Sequence, residues 1–176
     1  MKKIFLFTVM LICTTVSLQS FAQGDDKSKR PSPPATVTQL IKGGATISIE
    51  YSQPSVKGRT IGKDLEPLDN KVWRTGANEA TVFETNKDIT INGQKLPAGK
   101  YGLFTLFNGN DCTVIFNKTW NQWGAFTYKD ADDALRIKAK VTTAATSTEM
   151  MTFKIDRSGE ITLLWGTLQV TFNVKA

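Results

Sequence analysis

Two short segments gather most of the side chains that could do chemistry. They are Tyr51-Ser52-Gln53-Pro54-Ser55-Val56-Lys57-Gly58-Arg59 and Val72-Trp73-Arg74-Thr75-Gly76-Ala77-Asn78-Glu79-Ala80-Thr81. Each sets polar groups, a glycine and an arginine outside any regular alternation. Arg59 and Arg74 offer planar guanidinium forks that match a carboxylate or a phosphate. Trp73 could stack on a sugar ring, and Asn78 and Glu79 could bond its hydroxyls. These five residues form a candidate site for a glycan or a small anion. The same residues also have a structural use: Trp73 as core, Gly76 at a positive φ, and Arg74 paired with Glu79. A second aromatic group, Trp120, Trp123 and Phe126, surrounds Asn121-Gln122-Trp123-Gly124. Exposed tryptophan beside amide side chains suits carbohydrate, although tryptophan in a small domain also serves as core.

Composition closes several chemistries. The chain has no histidine, which removes the Ser-His-Asp triad, the Cys-His dyad and histidine-ligated metals. Of its two cysteines only Cys112 lies beyond the N-terminal apolar segment that holds Cys13, which removes thiolate metal clusters and CxxC redox chemistry. No glycine-rich loop matches a phosphate or dinucleotide fingerprint. No known catalytic signature is present, so no catalytic residue is assigned, and no metal or cofactor is called for. A hydrolase using Glu79 and one other acid would need the two carboxyls about 5–10 Å apart; Glu50, Glu66, Glu84, Asp64 and Asp69 are the available partners. The net charge is +6, but basic and aromatic residues do not alternate along one stripe, so nucleic-acid binding is unsupported. A structural or protein-interaction domain is the remaining class.

The elements that must position these residues begin after a leader. Lys2 and Lys3 precede an apolar run from Ile4 to Val16, and Ser20-Phe21-Ala22 places small residues for cleavage. This is the build of a signal peptide over residues 1–22, too short to span a membrane. It implies export to the periplasm, the cell surface or the medium, with no transmembrane span in the mature chain. The 176 residues less these 22 leave 154, the size of one domain. Residues 23–34, rich in Gly, Ser and Pro, read as a flexible leader, and residues 35–176 as a single domain. Cys112 is then the one remaining thiol, and it shares a strand face with Val114 and Phe116, which predicts burial.

Within the domain the hydrophobic period is two. Ile47, Ile49 and Tyr51 alternate with polar residues, as do Leu135 to Val141 and Leu168 to Val174. These are half-buried strands. Further strands are predicted over Thr36–Ile41, Glu79–Thr85, Ile89–Ile91, Tyr101–Phe107, Cys112–Asn117, Met150–Asp156 and Glu160–Trp165. Trp165 reads as core. Asn92-Gly93 signals a hairpin, and Asn108 to Asp111 and Arg157-Ser158-Gly159 signal turns. One weak helical turn is predicted over Lys129–Leu135. The class is all-β, an antiparallel β-sandwich of Greek-key, immunoglobulin-like or jelly-roll-like type. Leu96-Pro97-Ala98-Gly99-Lys100-Tyr101 suits a tyrosine corner, in which the Tyr101 phenol bonds backbone a few residues upstream.

The two motif segments, with Leu96 to Tyr101 and Trp123-Gly124, lie in the same order as in the domain of unknown function 2911 family of exported bacterial proteins, which the chain resembles from about Pro33 to the C-terminus. That family usually carries arginine where this chain has Gln53. The resemblance implies an exported bacterial domain and no mechanism.

Overall fold

The computed structural model describes residues 26–176. The segment read as a signal peptide lies outside them, as do the first residues of the leader. Ten strands follow: β1 (Pro34–Leu40), β2 (Thr46–Ser52), β3 (Val72–Trp73), β4 (Thr81–Thr85), β5 (Ile89–Ile91), β6 (Gln94–Leu96), β7 (Gly99–Asn108), β8 (Asp111–Asn117), β9 (Asp133–Ile155) and β10 (Glu160–Lys175). Every pairing between them is antiparallel. The sheet runs β1-β2-β4-β7-β8-β9-β10-β5-β6, with β3 also on β7. The all-β, antiparallel class read from the two-residue period holds, and β1 and β6 stand at the ends of an unclosed sheet. No helix among the described residues is long and apolar enough to cross a membrane.

The sheet folds over on itself around a main core. Rings from strands that are not sheet neighbours meet there: Tyr51 with Phe153 at 5.0 Å, Phe116 with Phe172 at 6.1 Å, and Trp73 with Trp165 at 5.7 Å between centroids. Each such large side chain, moved out of water, contributes about 1.5–3 kcal/mol. Cys112 is fully buried between β7 and β9. Burial pushes its thiol up to about 12, against a small opposing pull from Lys138.

The turn chemistry is realised as read. Asn92 and Gly93 adopt φ of 48° and 82°, the left-handed pair of a two-residue hairpin. The Tyr101 hydroxyl donates to Pro97 O at 3.0 Å. It pins the corner where the chain leaves β6, at one end of the sheet, for β7 in its interior.

Three expectations are corrected. Leu135–Val141 and Met150–Asp156 belong to one long strand, β9, and Glu160–Trp165 and Leu168–Val174 to one strand, β10. The Thr/Ala-rich stretch of β9 lacks the apolar alternation that would have joined its halves. The helical turn over Lys129–Leu135 is a single 3-10 turn, Asp130–Asp132. The leader is anchored from Asp26 on: Asp26 caps a 3-10 turn over Lys27–Lys29, and Gln53 N–H donates to Pro33 O at 2.9 Å.

A bulged strand and an aromatic loop on one face

The second motif occupies a break in one strand line. Trp73 pairs opposite Thr105 of β7, and Thr81 pairs opposite Leu103. The residues between, Arg74 to Ala80, all stand against the single position Phe104. Such an insertion leaves the ladder and re-aims side chains. Two of its residues take left-handed backbone, Thr75 at φ 53° and Asn78 at φ 58°. For a β-branched residue this is a true outlier. It is held because Thr75 Oγ1 lies 3.2 Å from Thr105 Oγ1, and Thr81 Oγ1 donates to Thr75 O at 2.8 Å.

The bulge meets the first motif at one point, where Ala77 N–H donates to Ser52 O at 3.3 Å. A Cβ built on Gly76 would stand 3.2 Å from the same carbonyl, so glycine permits the approach. Beyond Ser52 the first motif diverges. Tyr51 is core, its hydroxyl accepting from Phe153 N–H at 3.1 Å. Gln53 Nε2 donates to Met151 O at 3.0 Å. Arg59 bonds its own turn, Nε to Val56 O at 3.1 Å and Nη2 to Ser55 O at 2.8 Å. It lines a separate cleft from Arg74.

The five residues proposed from sequence therefore do not make one site. Trp73 is only 2% exposed, so it cannot present a face to a ligand. Asn78 Nδ2 donates to Ser32 O at 3.0 Å. Glu79 pairs with Arg30, whose Nη1 lies 3.0 Å from both carboxylate oxygens, and with Lys27 Nζ at 2.9 Å. Its partner is thus Arg30 from the leader, and not Arg74. Burial would raise the Glu79 pKa, but bonds from Lys27, its own backbone N–H and Arg30 outweigh that and hold it at about 2. A carboxyl fixed as the anion beside two cations is the opposite of the raised acid a hydrolase needs.

What the bulge positions is the aromatic loop. Ala80 N–H donates to Gln122 O at 3.0 Å, and Gly124 N–H donates to Asn78 O at 3.1 Å. Within the loop, Gln122 Nε2 donates to Thr119 O at 2.6 Å and Thr127 Oγ1 donates to Gln122 Oε1 at 3.0 Å. Ala125 and Tyr128 pack on a small second core of Ala80, Phe104 and Ile115. With the backbone so fixed, the rings turn outward: Trp123 is 56%, Trp120 38% and Phe126 84% exposed. Arg30 Cζ lies 5.9 Å from the Trp123 ring and Lys100 Nζ lies 5.4 Å from the Trp120 ring, both cation–π distances.

Arg74 sits beside this platform. A Cβ on Gly124 would meet the Phe126 ring at 3.0 Å and Arg74 Nη1 at 3.6 Å; Gly124, at φ 65°, lets all three converge. Arg74 Nε is buried without a hydrogen-bond partner among the described residues. Burial lowers the guanidinium pKa, and the Glu66 carboxylate opposes that. Asn117, the first residue of an Asn-Lys-Thr triplet, is buried and donates Nδ2 to Lys129 O and Asp133 Oδ1 at 2.9 and 2.8 Å. Among the described residues no group of His, Cys, Asp and Glu gathers to hold a metal ion.

A bulged β-strand clamping an aromatic loop on the outside of a folded-over antiparallel sheet defines the class: an all-β domain with a surface platform. The chain belongs to the family described as Protein of unknown function (DUF2911), whose model matches residues 32–174. No curated protein and no solved structure matches the chain.

Proposed function

We propose that the protein is an exported glycan-binding module whose site is the platform of Trp123, Trp120 and Phe126, with Arg74 selecting an acidic sugar. The observation that carries this reading is the combination of outward rings with an immobilised backbone. Sugar rings stack on exposed tryptophan, and a loop ordered before binding spends little entropy on it. The Arg74 fork, whose terminal Nη1 lies beside Gly124, supplies a charge-assisted bond to a carboxylate or sulfate. Asn121, exposed between the two tryptophans, adds an amide for hydroxyls.

A thermal-shift and calorimetric screen against neutral and acidic oligosaccharides tests this. A ligand at 100 times its Kd adds about 2.7 kcal/mol, a rise of several degrees for a domain of this size. Trp123→Ala should weaken binding about tenfold or more, equal to about 1.4 kcal/mol. Arg74→Met should remove the preference for acidic over neutral sugars. Binding unchanged in both folded variants sinks the reading. If no sugar shifts the melting temperature, the exposed rings instead mark a protein-contact surface.

A further inference from the structure

A sizeable cleft lies away from the aromatic loop. It has a volume of about 590 Å³ and forms where the loop after β2 folds against β9, β10 and the β7–β8 turn. That size falls within the range of small-molecule sites, about 300–1,000 Å³. Its depth depends on Gly166, where a Cβ would stand 2.8 Å from Ile61 Cδ1. The ladder between β9 and β10 is also irregular on both sides of Gly166, and Thr142, Thr143 and Ser147 of β9 line the cleft with hydroxyls. Phe107, Val141 and Leu168 supply apolar lining.

Two opposite charges line this one cleft, Arg59 and Asp69. Arg59 is oriented by the carbonyls of Ser55 and Val56. Asp69 Oδ1 accepts Gly109 N–H at 3.1 Å, which fixes the carboxylate and leaves Oδ2 for another donor. Among the described residues neither side chain forms an ion pair, with the other or with any third group. A cation and an anion that share a cleft without neutralising each other are complementary to a ligand carrying both charges in reverse order.

We infer that this cleft binds a short zwitterionic peptide. Arg59 takes the terminal carboxylate, Asp69 takes the terminal ammonium, and the apolar lining takes a side chain. A free amino acid carries both charges on one carbon, whereas a peptide separates them by about 3.3–3.6 Å per residue. A cleft of about 590 Å³ is several times the volume of one amino acid, which favours the peptide. This site is independent of the aromatic platform.

The test is calorimetry of the protein with alanyl-leucine and alanyl-alanyl-leucine, each free, N-acetylated and C-amidated. At least one free peptide binds, and blocking either terminus weakens it tenfold or more. Arg59→Met abolishes discrimination against the amide. Asp69→Asn, which keeps the bond from Gly109, abolishes discrimination against the acetyl form. Trp123→Ala leaves both peptides unaffected. No heat with either free peptide, equal affinity for blocked and free forms, or full discrimination in the folded Arg59 and Asp69 variants would overturn the assignment.

Discussion

The indole of Trp73 lies stacked on that of Trp165, centroids 5.7 Å apart and planes 18° apart, while its Nε1 donates to Gly76 O at 3.0 Å. One side chain thus joins the foot of the bulge to β10 on the far side of the core. It serves the platform by fixing the strand break from which the platform is built, and it touches no ligand.

Trp73→Ala should therefore cost about 3–5 kcal/mol, as for other buried aromatic truncations. Urea denaturation of the variant measures this. Trp73→Phe keeps most of the volume and loses the bond to Gly76. It should lower stability by less, and the folded protein should bind sugar like the wild type. A Phe variant as stable as the wild type but unable to bind would restore Trp73 to the site.

Glu79 makes stability depend on pH in a defined window. Its carboxyl is held at about 2 when folded, against an ordinary 4.5. A depressed carboxyl pKa contributes stability that is fully present above the unfolded value and is lost as pH falls through the folded one. The difference in urea midpoint between wild type and Glu79→Gln should be greatest near neutral pH. It should shrink from about pH 4.5 downward and be gone near pH 2. The side chain is 38% exposed, so salt screens the pairs and 1 M NaCl should narrow the gap at pH 7. A difference constant between pH 7 and pH 3 would show that the two cations contribute nothing.

Gln122 is a positioning residue for the rings on either side of it. Gln122→Ala removes both of its side-chain bonds inside the loop. Affinity for an acidic oligosaccharide should fall several-fold, and amide exchange should speed up over residues 119–127. The preference for acidic over neutral sugars should persist, because Arg74 is untouched. Loss of that preference, or affinity unchanged with faster exchange, would separate loop order from binding.

Much of the fold was legible because a half-buried strand writes its burial into the sequence every second residue. Ile47, Ile49 and Tyr51 show this, as do Leu168, Val170, Phe172 and Val174. The stretch from Thr142 to Thr148 was not legible, since part of it lines a cleft and not the core, so its alternation is missing. The corner at Tyr101 could be read because its partner, Pro97, is four residues away. The site was harder for the opposite reason. Glu79 finds Arg30 across 49 residues, and Trp73 finds Trp165 from the other side of the core. Composition singled out these segments, but it could not show which polar groups were already consumed by distant partners. The outward turn of Trp123 depends on Asn78 and Ala80 pairing with the loop backbone, and no local pattern announces that pairing.

The strand break between β3 and β4 has an engineering consequence. Both flanks pair with their own stretch of β7, Val72 and Trp73 with Leu106 and Thr105, and Thr81 to Thr85 with Leu103 to Gly99. Register on one side is set without reference to the other, so the length of the excursion is decoupled from the sheet. A change in the length of the excursion would leave the ladder bonds on both flanks in place. It would act instead on the bonds from Ala77 to Ser52 and from Gly124 to Asn78, so the aromatic loop would move while the sheet stayed fixed.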